Sequence, residues 1–312
     1  MRVSIGIPSY NEQDSILALL KALEMQHLNG YEIAEVIISD DSSDATPDIV
    51  KDFSDRSMLN IVLLHHDERR GAANAWNEIF ANTSGKSDVI VLYDADVIPS
   101  RDATMLLASS MEDEHVGLSA ANPMPAYNSS STAISYGQRI AARASVFNSS
   151  WLRRVRFLGI NQYIAMGRAM AVRSSIAKAT RIPSSTIAID LYMQCITLEM
   201  GYKVRYRDDA IVWFKPVESI EEFISQVRRA VAGHRELAHL IDRLNIRLPV
   251  KSMLIEGLKT AKDDPSGLVM LALAYILYPF YMRPIDSRWS IARSSKGLSL
   301  YDIEGYKERY NK

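Results

Sequence analysis

The run at positions 89–99, VIVLYDADVIP, limits the possible folds more than any other stretch of the chain. Val89, Ile90, Val91, Leu92 and Tyr93 are apolar without alternation, the pattern of a strand buried on both faces. A strand covered on both sides calls for helices above and below a sheet. The run stops at Asp94-Ala95-Asp96, which places two carboxylates one residue apart at the mouth of that strand. Such a pair repels itself unless a proton or a cation lies between the charges. An isolated D-x-D is also an ordinary solvated turn, so its meaning depends on its surroundings.

The preceding residues repeat one pattern. Positions 3–7 are a short apolar strand that ends at Pro8 and gives way to the polar turn Ser9-Tyr10-Asn11-Glu12. Ile16, Leu19, Leu20 and Leu23 then recur at helical spacing. Positions 35–39 form a second buried strand, broken by Asp40-Asp41-Ser42-Ser43-Asp44, and Thr46-Pro47 opens a helix in which Pro suits the first turn. A third strand at 60–64 ends in His65-His66, and Arg70-Gly71-Ala72-Ala73-Asn74 leads into a helix that runs to about Ala81. Strand, polar turn and helix in succession predict an α/β fold with a mostly parallel sheet flanked by helices. Ligands of such sheets bind beyond the carboxyl ends of the strands. That rim here gathers Glu12, Asp41, Asp94 and Asp96. Neither G-x-G-x-x-G nor G-x-x-x-x-G-K-[ST] occurs. An acidic rim is a poor place for a bare phosphate and a good one for a metal-bound diphosphate.

A chain of 312 residues, 47% hydrophobic and 23% charged, has room for one large α/β domain with an appendage, or for two domains. The net charge of −1 gives no reason to expect a nucleic-acid partner. The single cysteine, Cys195, excludes an internal disulfide framework and a Cys-rich zinc site, and suits a reducing compartment. No charged-then-apolar leader precedes the first strand, so the expected location is cytoplasmic.

PSYNE at 8–12, SDDSSD at 39–44, the segment from Gly71 to Asn77 and DAD at 94–96 together resemble, in order and spacing, the motifs of family 2 glycosyltransferases with the GT-A fold. The resemblance implies an enzyme that transfers a sugar from a nucleotide-sugar donor with a divalent cation, Mn²⁺ or Mg²⁺. It implies that Pro8, Tyr10, Glu12 and Asp41 line the base and ribose, with Arg70 also on the donor side. Asp96 would ligate the metal directly, and Asp94 would reach the ribose or a metal-bound water. The alternative reading of Asp41 and Glu12 is as turn-forming and helix N-terminal acids.

The second half departs from simple alternation. A strand is expected at 116–120, a polar loop at 124–132, and a basic stretch at 135–157 carrying Arg139, Arg143, Arg153, Arg154 and Arg156 among apolar residues. That stretch reads either as a surface for anionic lipid or as a solvated helix face. Positions 166–172 resemble the family's strand beside the acceptor, where Gly167 permits close backbone approach. Asp190, set among apolar residues at a helix start, is an N-cap or a functional carboxylate. The resemblance makes it the catalytic base, with Ile189 where the family usually has Glu. Gln226 and Arg229 resemble the family's Q-x-x-R-W element on the diphosphate, with Ala230 in place of Trp, and lie on a helix expected over 220–244.

Positions 267–281 carry no charge over fifteen residues, short of the ~20 that span a bilayer, and suit a buried helix, a dimer contact or monotopic insertion. A polar tail follows over 283–312, with Trp289 as a docking residue. The expected division is a GT-A domain over 1–245 and a C-terminal helical extension over 246–312, with peripheral membrane contact. The expected reaction is inverting transfer to an acceptor hydroxyl on a sugar or a lipid-linked or polysaccharide precursor. A retaining GT-A transferase and a non-catalytic nucleotide-sugar-binding protein are the alternatives.

Overall fold

The structure, a computed structural model, describes residues 1–126, 135–159, 167–247, 249–277, 293–300 and 303. Most of the loop expected at 124–132, Met166, the end of the 267–281 run and most of the tail with Trp289 lie outside them.

Eight strands form one sheet in the order β3-β2-β1-β4-β7-β6-β8-β5. Its first half is the parallel array expected from the sequence: β1 (Arg2–Ser9) lies between β2 (Glu32–Asp40) and β4 (Val89–Tyr93), and β3 (Ile61–His65) is outermost. The second half is mixed. β7 (Ala169–Arg173) runs antiparallel to β4 and to β6 (Val116–Pro125), β8 (Lys203–Phe214) returns parallel to β6, and the short β5 (Val97–Pro99) closes the edge against β8.

The unbroken apolar runs are explained by the two covers. Along β4, Val89, Val91 and Tyr93 enter one core with α1 (Ile16–Glu24) and α2 (Thr46–Ser54). Ile90 and Leu92 enter the opposite core with α3 (Ala72–Asn82). Successive side chains point to opposite faces, so both sets must be apolar. Between β4 and β6, β5 is followed by α4 (Ala103–Ser109) and a 3-10 turn. After β7 come α6 (Ser174–Ala179) and α7 (Ile189–Glu199), which carries the fully buried Cys195.

The basic stretch is one long helix, α5 (Tyr136–Phe157), started by a capping box in which Ser135 and Gln138 exchange hydrogen bonds. α8 (Ile220–Glu236), α10 (Val250–Asp263) and α11 (Pro265–Leu277) follow later in the chain. α5, α8 and α11 enclose a further core built from Phe147, Phe223 and Leu271. The single helix expected over 220–244 is two, α8 and α9 (Ala238–Arg243). The break falls at Leu237, whose backbone (φ −95°, ψ 10°) leaves the helical region. Its side chain joins Leu191, Cys195 and Leu240 instead of continuing the α8 face. Residues 293–300 come back to the N-terminal half, where Leu298 and Ile303 are buried against Ala22, Ile98 and Trp213. Among the described residues no helix is long and apolar enough to cross a membrane.

Candidate active site

The carboxyl ends of β1, β2 and β4 place their turns on one rim. The end of β4 is tied across the sheet, since the Asp94 amide donates to the Arg168 carbonyl at 3.0 Å. Asp94 and Asp96 therefore stand beside the start of β7. Arg168, which the sequence did not single out, lies with its guanidinium 3.8 Å from Asp96 and 3.9 Å above the Phe214 ring. Stacking fixes a long side chain that would otherwise be mobile.

Two further groups converge on this pair. Asp190 occupies the first turn of α7, with Ala188 at the cap position, so the N-cap reading of this residue does not hold. A Cβ built on Gly167 would stand 3.3 Å from Asp190 Oδ2, so a side chain there would crowd the carboxylate. Arg229 on α8 faces Asp190, Asp94 and Asp96. Burial pulls its guanidinium below the ordinary arginine value, against the attraction of Asp190 and Asp94 and with the repulsion of Arg168. Burial also raises the Asp94 carboxyl, and the charges of Asp96 and Asp190 add to the rise while Arg168 and Arg229 oppose it. Gln226 lies one turn before Arg229 on the same helix, on the same face by its spacing.

One turn after Arg229, α8 makes a close contact. Gly233 packs on Ala188 so tightly that a Cβ on the glycine would lie 2.4 Å from the alanine Cβ. Glu236 Oε2 accepts from the Ile187 amide at 2.8 Å. The two contacts hold α8 against the approach to α7.

On the other side of the rim, Pro8 is the next-to-last residue of β1, and Tyr10 lies under the Arg69 guanidinium at 4.2 Å from its ring centroid. Asp41 is buried, and its Oδ2 accepts from the amides of Arg70 at 2.6 Å and Gly71 at 2.9 Å. Gly71 takes φ +87°, the left-handed region that glycine enters without strain. Arg70 in turn donates to Glu78 Oε2 at 2.7 Å, and Ser39 Oγ donates to the same oxygen at 2.6 Å. Asp41 and Arg70 thus shape the turn into α3 from within. Glu12 is pushed well above the usual carboxylate range, first by burial and then by Asp96, while Lys296 pulls it back. Lys296 donates to Glu12 Oε1 at 2.9 Å and also reaches the Asn11 carbonyl.

Asp94 and Asp96 are hard oxygen donors whose mutual repulsion a divalent cation would relieve, so their chemistry fits Mg²⁺ or Mn²⁺. Among the described residues no group of three or more His, Cys, Asp or Glu is arranged to hold a metal. A cation here would need oxygens from a ligand or from water to complete its shell, as Mg²⁺ sites commonly do. A cavity of about 500 Å³ lies apart from these acids among the end of β6, α5 and α10, lined by Pro125, Arg153, Phe157, Asp208 and Glu256.

Comparison with known proteins bears on the family and the fold. The probable glycosyltransferase YdaM of Bacillus subtilis is 27% identical over 255 residues, which are 75% of this chain and 55% of YdaM. The dolichol-phosphate mannosyltransferase of Pyrococcus furiosus is 33% identical over 99 residues, 31% of this chain and 26% of its own. The chain thus spans about half the length of the first relative. The structure of the mannosyltransferase PcManGT from Pyrobaculum calidifontis, in complex with GDP-Man and Mn²⁺, superposes with a TM-score of 0.54 at 19% identity, covering 90% of this chain and 88% of that one. S. aureus TarS 1-349 in complex with UDP-GlcNAc gives 0.52 at 19% identity, covering 85% and 73%. Both likenesses bear on the fold, which is GT-A. The model described as Glycosyl transferase family 2 matches residues 4–180, from β1 through the D-x-D turn to the end of α6. That is more than half of the 312 residues, and the chain belongs to glycosyl transferase family 2.

Proposed function

We propose that the chain is a metal-dependent glycosyltransferase that moves a sugar from a nucleotide-sugar donor to an acceptor hydroxyl with inversion at the anomeric carbon. The observation that carries this reading is the convergence of Asp94, Asp96 and Asp190 with Arg168 and Arg229 at one end of the sheet. Donors bound by the fold neighbours, GDP-Man in PcManGT and UDP-GlcNAc in TarS, support the ligand class.

In this reading Pro8, Tyr10, Glu12, Asp41 and Arg70 form the nucleoside side. Asp96 and Asp94 would hold the divalent cation. When bound, that cation would act as a Lewis acid on the departing diphosphate. Arg229, with Gln226 beside it, supplies a fixed positive charge toward the same group. Asp190 accepts the proton of the acceptor hydroxyl as that oxygen attacks, because an alcohol is a poor nucleophile at neutral pH. Gly167 leaves room for the acceptor beside that carboxylate. The chemistry then belongs to 1–245, with 246–312 as an extension.

We also assign the acceptor to a lipid-linked precursor at a membrane surface. Val250, Leu254 and Leu258 are exposed at intervals of four along α10, and Val269, Tyr275 and Ile276 are exposed on α11. A stripe of this kind suits the interface between headgroups and acyl chains.

The donor assignment is tested by calorimetry with UDP and GDP in the presence of Mn²⁺ or Mg²⁺. Asp96→Ala is expected to abolish metal-dependent binding, and Asp94→Ala to weaken it less. Unchanged affinity and metal dependence in Asp96→Ala would overturn the assignment.

A further inference from the structure

We infer that Lys296, from the C-terminal segment, is a positioning residue of the donor site, holding the Tyr10–Glu12 turn so that one oxygen of Glu12 stays available to the donor's nucleoside. The inference rests on the donor reading above and extends the site into the region beyond 245.

The Lys296 side chain is only 10% exposed, an unusual state for a lysine. Burying an ammonium is unfavourable unless its donors are satisfied. Here they reach Glu12 Oε1 at 2.9 Å, the Asn11 carbonyl, and the Tyr10 carbonyl at 3.4 Å. All three acceptors belong to the turn that follows β1, some 285 residues earlier.

The backbone around Lys296 is anchored independently of this contact. Glu222 Oε1 accepts from the amides of Arg293 at 2.8 Å and Ser294 at 3.3 Å. The Glu218 amide donates to Ser294 Oγ at 2.9 Å, and the Gly297 amide donates to Ser15 Oγ at 3.2 Å. Leu298 is buried beside Ala22 and Trp213. The lysine is therefore delivered to the turn by a fixed segment.

Its effect falls on Glu12. One carboxylate oxygen is tied to Lys296, while Oε2 is buried and has no hydrogen-bond partner among the described residues. A buried acceptor without a donor is costly in the empty protein. Hydroxyl and N–H groups are what a nucleoside offers, and one of them would satisfy Oε2. Lys296 fixes which oxygen is left and in which direction it faces. The ammonium also offsets the repulsion that Glu12 receives from Asp96 and Asp94.

The experiment measures binding of UDP, GDP, ADP and dTDP, each with Mn²⁺, to the full chain and its variants. Lys296→Ala should weaken the preferred nucleotide by about tenfold or more, the scale expected for removing one partner of a buried charge pair. Ile303→Ala removes buried apolar packing beyond the segment that carries Lys296 and does not touch Glu12; it should lower the melting temperature and leave affinity within about twofold. In the double variant Glu12→Gln/Lys296→Ala the loss should not exceed the larger single loss, because Lys296 acts through Glu12. Unchanged affinity in Lys296→Ala overturns the inference and leaves the donor reading intact. Equal losses in Lys296→Ala and Ile303→Ala overturn it in favour of general loosening, and additive losses overturn it in favour of direct contact with the nucleotide. A wild-type chain that binds none of the nucleotides overturns the donor reading and this inference together.

Discussion

Asp190 separates an enzyme from a binder. Asp190→Asn keeps its shape and hydrogen bonding but cannot take a proton. Turnover should fall by about 10²–10⁴-fold, equal to about 3–5 kcal/mol of barrier. Donor affinity should barely change, because the loss lies in the transition state. Paired turnover and donor-binding measurements on Asp190→Asn and Asp190→Ala check this; near-normal turnover in the Asn variant would remove the base assignment. The site acids were legible because each sits where a buried strand or helix begins or ends, and an acid there needs a reason. Arg229 was named beside them, but two other cationic partners, Arg168 and Lys296, were not. Arg168 lies in a strand entry where its stacking partner, Phe214, is 46 residues away, and Lys296 looks like any tail lysine until the chain folds back. No local pattern encodes contacts of that span.

Elements carry the second lesson. The β-α alternation of the first hundred residues could be read because both faces of each strand are covered, and covered strands are apolar throughout. In the second half, β8 interleaves charge with apolar residues, KVRYRDDAIVWF, and its burial is irregular, so neither periodicity marks it. The break between α8 and α9 escaped for a related reason. Leu237 turns inward with no glycine or proline to announce it. The packing of α8 on the approach to α7 makes a further prediction. Gly233→Ala sets two Cβ atoms 2.4 Å apart unless the helix moves away. We expect destabilisation of about 1–3 kcal/mol in urea unfolding and weaker donor binding, as Arg229 moves with its helix. Donor affinity retained at wild-type level would show that Arg229 does not depend on this contact.

At the scale of the whole molecule the charges and the apolar surfaces separate. The sequence made the arginines of 135–157 a candidate lipid surface, but three of them are engaged within the fold: Arg143 with Asp264 at 2.5 Å, Arg153 with Asp208 at 2.7 Å, and Arg154 with Asp263 at 2.5 Å. What remains outward is the stripe on α10 and α11, flanked by exposed Lys251 and Lys262. Binding to anionic liposomes should therefore fall when Leu254 and Leu258 are changed to Ser, and less when Arg153 and Arg154 are neutralised. Protein that stays in the supernatant as a dimer would assign the stripe to a second copy. Cys195 offers a different kind of readout. It is fully buried on α7, and burial, aided by Glu199, raises its thiol to about 11. Only the thiolate reacts with an alkylating agent, so near neutral pH the folded chain should be almost inert. The single thiol then works as a clock on the helix that holds Asp190: each labelled molecule records one opening. Iodoacetamide labelling followed by mass would count those openings, and nucleotide that binds only the closed form would slow the clock in proportion to its occupancy. Labelling as fast as a free thiol in the native chain would mean that this helix does not stay shut.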